Sequence, residues 1–344
     1  MRKRITPLLI LLSLFVATVS GCGKKENIVT VPETSSKIVV GFSQLGAESD
    51  WRNENTKSMK DTFTSRAGYE LIFDDGQQKQ SNQITAIRQF IQQDVDYIVL
   101  APVQETGWDT VLQEALDARI PVILVDRMVD VKNNRLYTCW VGSDFELEAQ
   151  KVTAWLHAYA QSTGIADEDI HIVDLQGNLG ASAQIGRTKG LCDATELYHW
   201  DLKELCPADF TQAKGREVCA YLLDKYPDLN VVYCENDNMA MGAIEAIEEA
   251  GYTVGADILH GEIMVLSFDG VSETAMQYVR DGKITCLGEC NPILGPKVSS
   301  IITTLENGQI PKKYDYVSEN ILSADTTVSS IVVDDTTYYI STPY

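Results

Sequence analysis

Two aspartates that end apolar segments are the first candidates for chemistry in this sequence. Asp126 and Arg127 follow the run PVILV, and Asp269 and Gly270 follow the run IMVLSF. An unpaired buried charge costs several kcal/mol, so these groups must face solvent in a cleft or be satisfied by a ligand. Two carboxyl groups at one cleft can act as the acid and the nucleophile of a glycosidase. The alternatives without a ligand are a helix cap at Asp126 and a turn at Asp269.

Polar residues also follow two other predicted strands. Trp51, with Glu48 and Arg52 beside it, lies after the first strand, and Asn236 and Asp237 come after the strand VVYC. In an open α/β sheet, ligands bind at the carboxyl ends of strands, so these residues are further candidates. Without a ligand, Trp51 is a core residue at a helix start and Asp237 caps the next helix.

Other classes of site find no support in the sequence. It contains neither of the phosphate-binding patterns GxxxxGK[ST] and GxGxxG. The four histidines are isolated, and Cys286 and Cys290 have no second cysteine pair at zinc-site spacing. Arg127 would keep the neighbouring Asp126 ionised, which argues against a glycosidase acid. We therefore expect no metal, no cofactor and no enzyme activity.

The composition describes a folded, acidic protein. The chain has 344 residues, 28 Lys and Arg against 49 Asp and Glu, and a formal net charge of −21. Its length suggests about two domains. The acidic balance argues against nucleic acid, whose binding needs a basic surface. It also argues against electrostatic docking on anionic lipid.

The first 22 residues indicate export and a lipid anchor. Cations at positions 2–4 precede the apolar run Leu8–Val16, which has the length of a signal-peptide core and is short for a spanning helix. The segment VSGC at positions 19–22 resembles the lipoprotein cleavage box. This implies a signal peptide of residues 1–21, a lipid on Cys22 and a flexible tether over residues 22–37. An ordinary secretory signal with an incidental cysteine is the alternative. Removing the signal takes away three cations and no acid, which moves the charge from −21 to −24.

Strands and helices alternate along the rest of the chain and predict an α/β fold. Short apolar runs alternate with helical segments, which is typical of a parallel sheet with helices on both faces. The alternation restarts after about residue 143. Each half contains a strand, a polar loop, a helix and a strand that ends in Asp. Two such lobes, each with an acid at the carboxyl end of a strand, predict one cleft between them.

The order of motifs across residues 38–300 resembles the ribose/galactose-type family of periplasmic sugar-binding proteins. The members it resembles most are the galactofuranose-binding components of ABC importers. The motifs that carry the resemblance are GFSQLGAESDWR (41–52), DDGQQKQSNQI (74–84), DYIVLAPV (96–103), GWDTVL (107–112), IPVILVDR (120–127), LQGNLGASAQIGRTKG (175–190), DFTQAKGREV (209–218), ENDNMAMGAI (235–244) and SFDG (267–270).

The resemblance implies two Rossmann-like lobes, with parallel sheets flanked by helices, joined by three crossover strands. The N-terminal lobe would hold residues 38–142 plus 290–322, and the C-terminal lobe residues 143–289 plus 323–344. A sugar needs carboxylate acceptors, Arg or Asn donors and an aromatic platform. By resemblance, Trp51 packs against the sugar. The side chains that would hydrogen-bond its hydroxyl groups are Glu48, Arg52, Asp126, Arg127, Arg187, Asn236, Asp269 and Glu289.

The function that the resemblance implies is sugar binding for an ABC importer. The protein would be a monomer outside the cytoplasm, anchored by the lipid on Cys22, with a monosaccharide and an ABC permease as partners. A sensor that presents bound sugar to a membrane kinase or chemoreceptor is the alternative, because it would use the same cleft. The sugar stays open among galactofuranose, ribose, galactose and other furanoses.

Seven cysteines besides Cys22 depart from the family pattern. An odd number leaves at least one unpaired, and their connectivity cannot be read from sequence. Cys192 and Cys206 flank a variable stretch and are candidates for a disulfide. Three others have the sequence setting of small core residues, namely Cys139, Cys219 and Cys234.

Overall fold

Residues 37–343, the part of the chain that the computed structural model describes, form an α/β fold with two sheets. The strands are β1 (Ile38–Gln44), β2 (Tyr69–Asp75), β3 (Tyr97–Leu100), β4 (Val122–Val125), β5 (Cys139–Gly142), β6 (His171–Gln176), β7 (Asp201–Pro207), β8 (Val231–Cys234), β9 (Thr253–Val254), β10 (Glu262–Asp269), β11 (Cys286–Glu289), β12 (Tyr314–Tyr316), β13 (Ile321–Leu322), β14 (Ser330–Val333) and β15 (Thr336–Ser341). The α-helices are α1 (Asp50–Thr62), α2 (Gln80–Gln92), α3 (Asp109–Asp117), α4 (Phe145–Thr163), α5 (Ser182–Tyr198), α6 (Gln212–Lys225), α7 (Asp237–Glu249), α8 (Glu273–Arg280) and α9 (Gly295–Glu306).

The first lobe is built on a six-stranded sheet in the order β12-β5-β4-β3-β1-β2. All of its neighbouring strands are parallel. Strands β3 and β4 are buried on both faces, which is why they read as continuous apolar runs. Parallel strands end at the same edge of a sheet, so the loops after β1 and β4 lie at the same edge, with only β3 between the two strands.

The second lobe repeats this arrangement and extends it. Its strands β7-β6-β8-β10-β11 are parallel and follow the order of β2-β1-β3-β4-β5 in the first lobe. The correspondence between the two halves predicted from the sequence is therefore confirmed. The C-terminal tail adds β13 antiparallel to β11, followed by the hairpin of β14 and β15. Because β13 pairs with β11, Ile321–Leu322 lie in the second sheet and not in the first lobe, where the sequence placed them.

The chain crosses between the lobes three times, after β5, after β11 and after β12. The three crossing segments lie beside one another. The Val317 amide donates to the Gly142 carbonyl at 2.9 Å, and the Glu289 amide donates to the Asn320 carbonyl at 3.0 Å. Lobes joined by adjacent strands of this kind can close by bending at the crossings.

One sequence expectation concerns residues outside the described part of the chain, and another is wrong. Cys22 and the signal segment lie outside the described residues. The disulfide considered for Cys192 and Cys206 is absent, since all seven cysteines of the described part are free thiols. Cys139, Cys219 and Cys234 are fully buried, as expected for small core residues. No helix among residues 37–343 has the length and apolar character needed to cross a membrane.

Candidate functional site

Asp126 and Asp269 occupy equivalent positions in the two lobes, at the carboxyl ends of β4 and β10. Both have left-handed backbone conformations, with φ of 62° at Asp126 and 93° at Asp269. Such conformations in residues other than glycine cost about 1–3 kcal/mol each and concentrate at functional sites. Asp tolerates them better than most residues. The backbone thus turns sharply at both strand ends and presents a carboxylate there.

The first lobe contributes a buried cluster of two acids and two arginines. Arg52, in the first turn of α1, donates to Asp126 Oδ2 at 2.6 Å and to Glu48 Oε1 at 3.2 Å. Arg127 donates to the Val103 carbonyl at 3.0 Å, and its Nη2 lies 3.6 Å from Glu48 Oε1. All four side chains are at most 6% exposed. The two negative and two positive charges of this cluster therefore balance, and its hydrogen-bonding groups are shielded from bulk water.

The electrostatics of this cluster depend on burial and on mutual pairing. Burial acts to raise the pKa of Glu48, but the attraction of Arg52 and Arg127 outweighs it and lowers this pKa. Burial lowers the pKa of Arg127 to about 10, and repulsion from Arg52 acts in the same direction. Glu48, Arg52 and Arg127 therefore stay charged at neutral pH.

Trp51 is fixed in place by the crossing after β11. Its indole Nε1 donates to the Cys290 carbonyl at 2.8 Å, and the Arg52 guanidinium lies 4.7 Å from the centre of its ring. Ser49 caps the helix by accepting from the Arg52 amide at 3.2 Å. The helix start thus orients both the aromatic ring and the charged group that follows it.

The second lobe contributes Arg187 and Asp269. Arg187, on α5, donates to Asp269 Oδ1 at 3.1 Å, to Glu148 Oε2 at 3.0 Å and to the Glu235 carbonyl. Burial raises the pKa of Asp269 to about 7, although Arg187 opposes this shift. The guanidinium plane is therefore held from three sides while it faces the other lobe.

Asn236 and Asp237 have different tasks. Asn236 is the N-cap of α7: its Oδ1 accepts from the Met239 amide at 2.9 Å, and its Nδ2 donates to the Phe210 carbonyl at 3.1 Å. Asp237 Oδ2 accepts from the amides of Gly270 and Val271, both at 2.9 Å, and so secures the turn after Asp269. Asn236 retains one N–H and one lone pair for another partner.

A cavity lies between the two lobes and brings these residues together. Three acids and three arginines line it, so its walls are balanced in charge. The lining residues are Glu48, Ser49, Trp51, Arg52, Asp126, Arg127, Phe145, Ala183, Arg187, Phe210, Asn236, Asp269 and Cys290.

Glu289 does not line this cavity, although the sequence placed it there. Its Oε2 accepts from the Asn320 amide at 2.9 Å and from Asn320 Nδ2 at 2.6 Å. Successive side chains of an extended segment point to opposite sides, and the next residue, Cys290, reaches the cavity instead. Asp75 also lies outside, where its Oδ1 accepts from the Gln77 amide in a turn.

The sequence analysis missed five lining residues, among them Phe210. Asp209 and Phe210 both have positive φ, of 57° and 59°, which turns the Phe210 ring into the cleft. The ring packs on Gly177, where an added Cβ would lie 1.9 Å from Phe210 Cζ, so only glycine fits. Phe210 stands within the quoted motif DFTQAKGREV, which was the available signal for it. The other four are Ser49, Phe145, Ala183 and Cys290.

Direct hydrogen bonds join the lobes at the edges of the cavity. The Asp50 amide donates to Asn238 Oδ1 at 3.1 Å. On the other side, the Met128 amide donates to Ser182 Oγ at 2.7 Å, and the Glu105 amide donates to the Gly180 carbonyl at 3.2 Å. The structure is thus a closed form, in which the lining residues are shielded from bulk water.

Known proteins that are similar to this chain include sugar-binding proteins. Residues 40–292 match the family model described as a periplasmic binding protein domain. The chain is 38% identical over 297 residues to the galactofuranose-binding protein YtfQ of Escherichia coli, covering 85% of this chain and 90% of that protein. It is 28% identical to the fructose import binding protein FruE of Bifidobacterium longum over 87% of this chain and 88% of that protein.

Two solved structures with bound sugars are also similar. A protein from Mycobacterium smegmatis in complex with β-D-fucofuranose is 36% identical, with a TM-score of 0.78, over 84% of this chain and 92% of that one. The binding component of the arabinose ABC transporter from Shewanella, bound to α- and β-L-arabinofuranose, is 36% identical, with a TM-score of 0.77, over 84% and 93%. Both bound sugars are furanoses.

Proposed function

The chain belongs to the family of periplasmic binding protein domains, and on that basis we propose that its cavity binds one furanose sugar for an ABC importer. As a member of this family it works outside the cytoplasm, and it is a binding protein and not an enzyme. One relative is named for galactofuranose, and two similar proteins have been solved with fucofuranose and arabinofuranose bound. These ligands support a five-membered sugar ring as the ligand of this chain.

The observation that carries the proposal is the composition of the cavity walls. Three acids and three arginines meet three aromatic side chains, Trp51, Phe145 and Phe210, in this cavity. Balanced charge suits a ligand without net charge, because a charged ligand would leave one buried charge uncompensated. Carboxylates and guanidinium groups accept from and donate to hydroxyl groups, while aromatic faces pack against the C–H groups of a ring.

We assign the roles as follows. Asp126 and Asp269 accept hydrogen bonds from sugar hydroxyl groups, one carboxylate from each lobe. Arg52, Arg127 and Arg187 donate to sugar oxygens, supported by Glu48 and Asn236. Closure excludes water, which strengthens these charge-assisted bonds. The closed form then presents its outer lobe surfaces to the permease.

We also propose that the protein is a monomeric lipoprotein, held at the membrane by a lipid on Cys22. The motif at positions 19–22 and the apolar run before it support this, as does the polar sequence that follows. A tether of about fifteen residues lets the binding unit reach a permease in the same membrane.

Isothermal titration calorimetry on the purified protein tests the sugar proposal. The panel contains galactofuranose, L-arabinose, D-fucose, D-ribose, D-fructose and, as a sugar acid of similar size, galacturonate. We expect saturable binding of at least one neutral sugar at sub-millimolar concentration, and none of galacturonate. Absence of binding to every neutral sugar at that concentration would refute the proposal. Binding of galacturonate alone would refute the argument from balanced charge.

A further inference from the structure

A buried glutamate, Glu148, stands behind Arg187 without lining the cavity. It lies on α4 and is 2% exposed. Its Oε2 accepts from Arg187 Nε at 3.0 Å and lies 2.9 Å from Arg187 Nη2. Together with Asp269 it fixes the plane of the guanidinium group. Glu148 is thus placed to determine where Arg187 points.

The carboxyl group of Glu148 lies beside another carboxyl group. Its Oε1 is buried and has no donor to accept from among the described residues. One carboxylate oxygen of Glu148, one of Glu319 and the Cys290 Sγ all lie within 4.8 Å of one another. Glu319 Oε1 accepts from Ser143 Oγ at 2.6 Å and from the Asn291 amide at 2.7 Å, as an ionised carboxylate does. Two buried ionised carboxylates this close repel each other, whereas a proton shared between them favours a strong hydrogen bond.

The number of buried charges also indicates that this group of side chains binds one proton. The acids around this point are Glu148, Glu319 and Asp269, and the buried cations are Arg187 and Lys151. With all five ionised, the group carries one uncompensated negative charge, and one proton removes it. The other titratable groups that face it are Asp144 at the N-cap of α4, Tyr233 on β8, and Glu289 and Cys290 at the end of β11.

We propose that Glu148 is a positioning residue which carries a proton, donates it to Glu319 and in this form holds Arg187 against the sugar. The inference rests on the proposed function, since it assigns Arg187 to the ligand. Burial supports it by raising the pKa of Glu148 to about 8 and by raising the pKa of Glu319.

The partners of Glu319 lie where the lobes are joined. Ser143 follows β5, Asn291 follows β11 and Glu319 follows β12, so all three crossings meet at this hydrogen-bonded group. Opening the lobes would admit water to these carboxyl groups and lower the pKa of Glu148 towards its usual range. Closure is therefore linked to proton binding, and sugar affinity must fall as the pH rises towards and through about 8.

The test compares Glu148→Gln with Glu148→Ala. Glutamine keeps an oxygen for Arg187 and donates permanently to Glu319, as the protonated acid does, whereas alanine removes both bonds. We expect Glu148→Ala to weaken sugar binding at pH 6 about tenfold or more, and Glu148→Gln to recover most of that loss. The wild-type dissociation constant should rise at least about tenfold between pH 6 and 8.5, and Glu148→Gln should show at most half of this change on a logarithmic scale. Glu146→Gln, an exposed neighbour on the same helix, is the matched control and should follow the wild type.

An infrared measurement on the closed, sugar-saturated protein tests the inference separately from sugar affinity. At pH 6, with both proteins saturated with sugar, the infrared difference spectrum of wild type minus Glu148→Gln should contain the C=O band of a protonated carboxyl group, which an ordinary glutamate has lost at that pH. Absence of the band in the sugar-saturated protein overturns the inference. An unaltered pH dependence in Glu148→Gln, or affinity as weak as that of Glu148→Ala, also overturns it. A wild-type protein that binds no sugar in the calorimetric titration refutes the proposed function instead.

Discussion

Replacing Asp126 should damage sugar binding more than any change at the rim of the cavity. Asp126 Oδ2 lies 2.6 Å from Arg52 Nη2, and both side chains are at most 5% exposed. Asp126→Asn preserves the size of the side chain and tolerates the left-handed backbone at φ 62°, but it removes the charge. The buried cluster of two acids and two arginines then carries one excess positive charge.

The magnitude follows from the bonds that are lost. A hydrogen bond that involves a charged group contributes about 1.5–3 kcal/mol, and the orphaned partner adds to the cost. We therefore expect a loss of at least ~2 kcal/mol, or roughly 30-fold in the dissociation constant. Asp126→Ala should lose more, because alanine also strains the left-handed backbone.

Calorimetry with the best sugar of the panel measures this change. Asp75→Asn is the control, because Asp75 also ends a strand of the first lobe but is exposed and serves only a turn. Its affinity should stay within about twofold of the wild type. Unchanged affinity in Asp126→Asn would remove Asp126 from the site and refute the argument from buried charge balance.

Three further predictions address closure, the turn after β10 and anchoring. Ser182→Ala removes the bond from the Met128 amide across the cleft and should weaken binding about twofold to tenfold, measured by calorimetry, without lowering the melting temperature of the sugar-free protein. Asp237→Ala leaves the Gly270 amide without its acceptor and should lower the free energy of unfolding by about 1–3 kcal/mol in urea denaturation, whereas an unaltered midpoint would contradict that role. Cys22→Ser should move the protein from the membrane fraction to the soluble fraction, and persistent membrane retention would contradict the lipoprotein proposal.

The fold was predictable where burial leaves a simple pattern. Strands β3, β4 and β8 are buried on both faces and appear in the sequence as uninterrupted apolar runs. Strand β7 was not predicted, because it is an edge strand whose residues are half-buried or exposed and alternate with Lys and Glu. Pairing with β6 makes it a strand, and the local sequence does not show that pairing.

The site was predictable in its residue types but not in its supporting contacts. Asp126 and Asp269 end apolar runs, which singles them out in the sequence. The sequence analysis placed Glu289 in the cavity, but the residue that lines the cavity is Cys290. Successive side chains of an extended segment point to opposite sides, so an error of one residue predicts the wrong side. Glu148 gave no signal at all, since its partner Arg187 is 39 residues away and the two meet only when α4 packs against α5.

Two arginines explain why the closed form should depend on the sugar. Arg52 Nη1 and Arg127 Nε are buried and have no hydrogen-bond partner among the described residues. A buried donor without a partner costs about 1–3 kcal/mol, and more when it is charged. Both side chains line the cavity, so a sugar oxygen can supply the missing acceptor. Closure with sugar bound is then more favourable than closure without sugar, because the sugar removes the cost of these unpaired donors. The sugar therefore binds the closed form more tightly than the open form, which is what a ligand-driven change of conformation requires. If instead the lobes close equally well with and without sugar in solution scattering, the donors must be satisfied by water, and this account of closure is wrong.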